Sequence, residues 1–328
     1  MVKEDAVSIK EVYKKFGKRI ALNNVSINIK RNIIFGLLGS NGAGKTTLLH
    51  ILTGLLNFTS GEICVLGEIV KSKYSKNLKK KVSIVPQKIS LYEDLSIYNN
   101  LYFFGKAYGL KRKVLLEKIR ELAEIFQLED LNLKVENLSG GYQRRVSLAI
   151  ALISDPEVLI LDEALVGIDL ETKKIIIDLL LKLKKDKTII ITTHSIQEAE
   201  RICDEVCFLH RGEKVLEGKT KKIIQDYSLN HGSRIMVKFK NSSSAKSVFD
   251  KLNNKTKLID SIDSSIEEDR IIIQFNKLVF GVQDILNVIK FIKSNEEPGS
   301  IIDFDVRKPN LEDIMLELIN SGKFPGDI

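Results

Sequence analysis

Apolar positions along this chain fall into two kinds of run, alternating and continuous, divided by polar turns. Val7-Ser8-Ile9 and Val25-Ser26-Ile27-Asn28-Ile29 alternate apolar with polar, which predicts half-exposed antiparallel strands. Ile33-Ile34-Phe35-Gly36-Leu37-Leu38, Val158-Leu159-Ile160-Leu161 and Thr188-Ile189-Ile190-Ile191-Thr192 are continuous, as in strands covered on both faces of a parallel sheet. Residues 81–87 read as one more strand, stopped by Pro86, and residues 62–70 as another after the turn Thr59-Ser60-Gly61. Helical spacing places Leu48, Leu49, Leu52, Leu55 and Leu56 on one helix, then continues from Ser96 to about Gln127 and from Gln143 to about Ser154. The long helical block is inserted between strands of the continuous type.

The pattern changes after Tyr227-Ser228-Leu229-Asn230-His231-Gly232-Ser233, which reads as a polar linker. Residues 234–240 alternate as a strand, and Ala245, Val248, Phe249 and Leu252 make a helical stripe. Residues 257–262 and 270–275 read as strands, Val282, Ile285, Leu286 and Ile289 as a second stripe, and 301–306 as a last strand. This β-α-β-β-α-β order predicts a small ferredoxin-like α+β sandwich over residues 231–328, after a larger domain over 1–230. Pro309-Asn310-Leu311-Glu312-Asp313 then caps a final helix through Leu311, Ile314, Met315 and Leu318.

With 328 residues, 44% hydrophobic and 29% charged, the chain supplies full cores and is not a disordered segment. The formal charge of +8 allows a nucleic-acid or anionic-membrane partner without demonstrating one. Lys71, Lys73, Lys76, Lys79, Lys80 and Lys81 form a run without acids, read first as a solvated face. Cys64, Cys203 and Cys207 are too scattered for a disulfide framework or a zinc site, which points to a reducing compartment. Residues 1–10 carry acids and no apolar core, so no signal peptide is expected. Apolar segments such as 146–153 fall far short of a bilayer span, so the chain is not expected to cross a membrane by itself.

The chemistry concentrates at Gly39-Ser40-Asn41-Gly42-Ala43-Gly44-Lys45-Thr46-Thr47, which contains G-x-x-x-x-G-K-[ST] between a strand and a helix. A polyphosphate needs several backbone N–H groups turned toward it, and residues without a Cβ let the chain curl tightly enough to supply them. Lys45 then reaches the β- and γ-phosphates, and the Thr46 hydroxyl ligates Mg²⁺. Asp162 and Glu163 end a buried strand. Asp162 suits Mg²⁺ binding at one remove and Glu163 the water beyond the γ-phosphate, against the plainer reading of a solvated strand end. His194 leaves another buried strand at the edge where ligands bind. Ser139-Gly140-Gly141 opens a helix with exposed amides, or is an ordinary serine N-cap. Phe16, ahead of Gly17, could stack on a purine or serve as a hairpin residue; both readings stay open here.

Together these motifs resemble an ATP-binding-cassette (ABC) ATPase over about residues 5–225. The Leu138-Ser139-Gly140-Gly141 element is the specific one, and 22 residues separate Gly140 from Asp162, much as in that family. The resemblance implies a P-loop NTPase cassette with an antiparallel β subdomain and a helical subdomain over about 90–155. It implies that Phe16 stacks on adenine and that Gly39, Ser40, Asn41, Gly42, Ala43, Gly44, Lys45, Thr46 and Thr47 hold the phosphates of ATP. Thr46 and Gln87 would bind Mg²⁺ with Asp162 behind it; Glu163 would polarise the attacking water, and His194 would sense the γ-phosphate. Ser139, Gly140 and Gly141 would cap the ATP of a second cassette, making a dimer, a homodimer in the simplest case.

Three positions depart from the family pattern: Ser40, Ala164 and Leu170 stand where proline is usual, the last two in the loop expected at the dimer interface. The C-terminal part resembles the tails of drug- and antibiotic-exporter ATPases. The implied function is the ATPase subunit of an exporter, at the cytoplasmic face of the membrane, docked on separate permease subunits through the helical block, with Leu91, Tyr92, Leu95 and Tyr98 as candidate contacts. A soluble ABC ATPase acting on nucleic acid or ribosomes is the alternative. One cassette per chain and the 51 residues from Gln87 to Leu138 count against it, since such relatives carry two cassettes or a long coiled coil. A nucleotide-binding regulator that hydrolyses poorly is a third reading, motivated by Ala164 and Leu170.

Overall fold

The two apolar patterns become two sheets of different character. The computed structural model describes residues 5–70, 74–231, 234–254, 262–275, 282–297, 299–307 and 309–321. The chain divides between Thr220 and Lys221 into two compact units, ahead of the expected boundary at 230/231. The shift has a physical cause. The polar stretch expected as a linker is helical through His231, because side-chain polarity does not prevent a helix when little of it must be buried.

In the first unit, β1 (Asp5–Phe16) and β2 (Arg19–Lys30) form a hairpin, followed by β3 (Ile34–Leu38) and α1 (Lys45–Leu52). β4 (Ser60–Val65) and β5 (Glu68–Val70) form a second hairpin, and α2 (Leu78–Lys81) leads into β6 (Val82–Val85). The helical block is α3 (Ile97–Ala107), α4 (Arg112–Ile125) and α5 (Gly140–Leu152). Then come β7 (Val158–Asp162), α6 (Leu170–Leu183), β8 (Thr188–Thr192), α7 (Ile196–Ile202), β9 (Glu205–His210) and β10 (Glu213–Lys219).

The alternating strands build an antiparallel sheet in the order β2-β1-β4-β5. The continuous runs build a six-stranded sheet, β10-β9-β3-β8-β7-β6, parallel except for its β10 edge. Every residue of β3, β7 and β8 is buried, as continuous apolar runs require. One core cluster joins the two sheets around α1, with Ile9, Ile27, Leu37, Leu49 and Ile160 among its members.

Helix α1 is shorter than its leucine spacing suggests. Gly54, at φ +70°, donates to the Ile51 carbonyl (3.0 Å), and Leu55 N–H donates to the His50 carbonyl (2.9 Å). That pair of bonds is a Schellman stop. Leu55 therefore leaves the helix and is exposed, while Leu56 packs partly on the core from outside it. Of the lysine run, Lys71 and Lys73 lie outside the described residues; Lys76, Lys79 and Lys80 are exposed, and Lys81 pairs with Glu157 at 2.8 Å. Cys203 and Cys207 are buried, and burial pushes both thiols up.

The second unit begins within α8 (Thr220–His231), after its first residue, and contains β11 (Arg234–Phe239), α9 (Ser242–Asn254), β12 (Ile262–Glu267), β13 (Arg270–Phe275), α10 (Val282–Asn295), β14 (Ile301–Arg307) and α11 (Leu311–Ser321). Its sheet runs β12-β13-β11-β14 with every pair antiparallel, the order of a split βαβ sandwich. Ile235, Val237, Phe239, Ile271 and Ile273 face Ala245, Val248 and Leu252 of α9 and Val288 and Ile292 of α10.

Two expectations shift here. The strand expected at 257–262 begins at Ile262, with 257–261 outside the described residues. In α10 Val288 and Ile292 are buried, Ile289 of the expected stripe packs partly against the same core, and Leu286 is exposed; the side chains of Val282 and Ile285 lie outside the described ones. Asn310 Oδ1 accepts the N–H groups of Glu312 and Asp313, both at 3.0 Å, and Asp313 Oδ2 accepts that of Asn310 (3.0 Å), a reciprocal cap on α11.

Candidate active site

Sheet order decides which loops meet. β3 lies between β9 and β8, and β7 between β8 and β6, so the loops leaving β3, β6, β7 and β8 open on one edge. In open α/β sheets that edge is where ligands bind. Those loops carry 39–47, Gln87, Glu163 and His194. Asn41, Gly42, Gly44, Lys45, Thr46, Thr47, Gln87, Glu163 and His194 line one cleft of 480 Å³, with Phe16, Arg19 and Ala21 of the β1–β2 hairpin at its side.

In the loop after β3, Gly39 has φ +147°, and a Cβ there would overlap the Leu209 carbonyl oxygen. No other residue fits that crossing. The Ala43 N–H donates to the Ser40 carbonyl (3.2 Å), and the Ala43 carbonyl accepts from Gly212 N–H (3.1 Å). Ala43 itself is buried in the core cluster, and neither it nor Gly39 nor Ser40 lines the cleft. Lys45 Nζ donates to the Gly39 carbonyl (2.7 Å) and the Ser40 carbonyl (3.0 Å). Burial pushes the Lys45 ammonium below its ordinary range, while Glu163 and Asp162 pull the other way. As the first residue of α1, Lys45 sits where helix amides and dipole favour an anion.

Asp162 is buried at the end of β7 and accepts a 2.7 Å hydrogen bond from Thr192 Oγ1. The Glu163 N–H donates to that same hydroxyl oxygen at 2.9 Å. Glu163 lies at φ +47°, a left-handed conformation that costs a non-glycine residue about 1–2 kcal/mol. Its carboxylate accepts 2.7 Å from Gln87 Nε2, and His194 Nδ1 stands 3.9 Å away. One hydroxyl thus fixes both acids, one buried and one turned into the cleft.

Thr192 and Arg19 were absent from the residues expected at the site. A hydroxyl closing an isoleucine run and a cation opening the strand opposite Phe16 are the only traces they leave in the sequence.

Ser139 Oγ accepts the Tyr142 N–H (3.3 Å) as the N-cap of α5, so the helix starts at Gly140 rather than at Gln143. Ser139 and Gly140 are exposed, and neither they nor Gly141 line the cleft of their own chain. Of the departures, Ala164 is buried, and Leu170 is 85% exposed as the first residue of α6, behind the Asp169 cap. Proline is favoured at that first position for its fixed φ, but a helix forms there without it.

Comparison with known proteins extends the geometry. Residues 22–166 match the family described as ABC transporter. The chain is 38% identical over 221 residues to the Nod factor export ATP-binding protein I of Burkholderia lata, covering 67% of this chain and 72% of that one. It is also 38% identical over 224 residues to the protein of the same name from Rhizobium sp. (strain N33), covering 68% and 73%.

Among solved structures, a dimeric ATP-binding cassette in a post-hydrolysis state bound to ADP and Pi aligns with TM-score 0.59 and 29% identity, over 65% of this chain and 98% of that one. CbiO1 from Clostridium perfringens, part of the ABC transporter complex cbiONQ, aligns with TM-score 0.61 and 29% identity, over 69% and 96%. These four are transport or cassette proteins, and none supports the nucleic-acid alternative.

Proposed function

The chain belongs to the ABC transporter family of ATPases, and we propose that it is the ATP-hydrolysing subunit of an exporter, paired with a second cassette and docked on separate membrane-spanning subunits. The observation that carries this reading is the meeting of Gln87, Glu163 and His194 over the loop of Lys45, three strand exits on one phosphate cradle. In this reading the first unit, through Thr220, is the nucleotide-binding domain, with a helical part near 90–155, and the second unit, from Lys221, is an accessory interaction domain.

Hydrolysis needs positioning and charge compensation more than covalent chemistry. The amides of 39–47 and the Lys45 ammonium would hold the phosphates. Glu163 would accept the proton of the attacking water, aimed by Gln87 and by its own left-handed backbone. His194, half exposed at the mouth, would contact the γ-phosphate. The donors near Lys45 are oxygens: the Thr46 hydroxyl, the Gln87 amide oxygen and, one step back, the Asp162 carboxylate. That set suits Mg²⁺, which would neutralise phosphate charge there. Because Gln87 donates through Nε2 to Glu163, its Oε1 is the end left to face a cation.

Phe16, 47% exposed at the cleft, has the Lys14 ammonium 4.9 Å from its ring centroid, which leaves its other face for adenine. Phe16→Ala is expected to raise the KM for ATP by about tenfold with kcat little changed, as loss of one stacked base predicts. An unchanged KM in steady-state phosphate release would return Phe16 to a hairpin role.

The second cassette is supported by Ser139, Gly140 and Gly141, which do not line their own cleft yet offer helix-start amides. No helix among the described residues is long and apolar enough to cross a membrane. On the helical block, Tyr92 packs edge-on against Phe103 (centroids 5.0 Å) and Tyr98 stacks on Tyr102 (5.9 Å). Tyr92 and Phe103 are both about half exposed, an aromatic surface suited to a permease helix. Mild-detergent purification from the native membrane is expected to recover a multi-span protein with this chain. Recovery of RNA or DNA in its place, lost as salt rises, would overturn the transport reading.

A further inference from the structure

Arg144, on the second turn of α5, is 5% exposed, an unusual place for a guanidinium. It donates from NH1 to the Pro86 carbonyl and from NH2 to the Gln87 carbonyl, both at 2.8 Å. Its Nε is buried without a hydrogen-bond partner among the described residues, and burial pulls the group below its ordinary arginine value. Burying this charge is costly, and an apolar side chain of similar volume would stabilise packing at least as well. Its two bonds go to the two residues where the chain leaves β6, a stretch stiffened by Pro86. The side chain of Gln87 then reaches Glu163 at 2.7 Å. An unbroken path therefore runs from the helix capped by Ser139, through Arg144 and the Gln87 backbone, to the acid proposed as the base.

We propose that Arg144 is a positioning residue that pins Gln87 to the start of α5, holding the Gln87 amide between Glu163 and the cation side of the cleft. The idea rests on the reading of Gln87 and Glu163 given above. It makes the same helix serve two clefts: its exposed N-terminus meets the partner's nucleotide, and its second turn sets Gln87 in its own. Displacement of α5 by a partner would then carry Gln87 with it.

The test uses the full chain as wild type, Arg144→Met, Arg144→Lys, Gln87→Ala and the Arg144→Met/Gln87→Ala double variant. Lys88, exposed beside Gln87, reports the stretch directly through tryptic cleavage, quantified by mass spectrometry without nucleotide. For Arg144→Met, cleavage after Lys88 should rise about tenfold, with Lys18 and Lys113 within about twofold, as loss of two charge-assisted bonds at one place predicts. Half-saturating Mg²⁺ for ATP hydrolysis should rise about fivefold, while fluorescent-ATP affinity in EDTA stays unchanged. In the Gln87→Ala background, Arg144→Met should raise the Mg²⁺ requirement by less than about a further twofold, because the two residues act on it as one unit. Arg144→Lys, keeping one bond, should fall between; it carries the same measurements should Arg144→Met not fold.

Cleavage accelerated equally at all three lysines would make Arg144 a packing residue and overturn the proposal. So would fully additive effects of the two substitutions on the Mg²⁺ requirement, or an unchanged requirement in Arg144→Met. A Gln87→Ala variant with wild-type Mg²⁺ dependence would remove Gln87 from the metal side, and both readings would fall together.

Discussion

Glu163→Gln should lower ATP hydrolysis by about 10²–10⁴-fold, the span expected when a positioned general base is lost, while ATP affinity stays near wild type. Glutamine keeps the size of the side chain and can still accept from Gln87 Nε2 through its amide oxygen. The Glu163 backbone is set by φ +47° and by its bond to Thr192, neither of which depends on the carboxylate. What disappears is the capacity to take a proton from water. ATP should therefore bind, close two copies on each other and persist. Light scattering behind a sizing column should show the mass doubling with ATP and Mg²⁺ for Glu163→Gln, and only transiently for wild type. Equal hydrolysis rates for the two proteins would mean that another group is the base. A variant that stays a single copy under saturating ATP, even with its membrane partner restored, would defeat the closure reading itself.

Lys45→Ala should weaken ATP binding by about 10²-fold or more, since a buried ammonium in the proposed role, serving two phosphates, is worth more than an ordinary hydrogen bond. Truncation acts twice. The phosphates lose their cation, and the Gly39 and Ser40 carbonyls lose the donor that gathers them at 2.7 and 3.0 Å. Lys45→Arg should not rescue, because a planar fork does not fit a space shaped around one compact charge. Titration with a fluorescent ATP analogue checks this. Wild-type affinity in Lys45→Ala would take the loop at 39–47 out of the nucleotide site.

The family resemblance and the cradle of the site were legible in the chain because they are local. Strand, glycine-rich turn and helix from Ile33 to Leu52 are consecutive, and their spacing follows from what a polyphosphate demands of a backbone. Period-two alternation separated the half-exposed sheet from the buried one, and the order of stripes beyond residue 234 pointed to a split βαβ sandwich. Two stretches depart from what local periodicity and polarity predict. Leucines 55 and 56 continue a helical period that Gly54 terminates, and polar residues 227–231 extend a helix rather than a linker.

Tertiary structure alone decided who touches whom. Gln87, Glu163, Thr192 and His194 lie on three separate strands or their exits, and only the order β3-β8-β7-β6 brings them to one edge. Nothing near Arg144 in sequence marks its partners, which stand 58 and 57 residues upstream. A hydrophobic pattern records which face of an element is buried. It does not record the neighbour it is buried against, because burial is rewarded by area removed from water whatever covers it. Polar contacts across the sheet depend on that neighbour, so they exist only once the strands have taken their order.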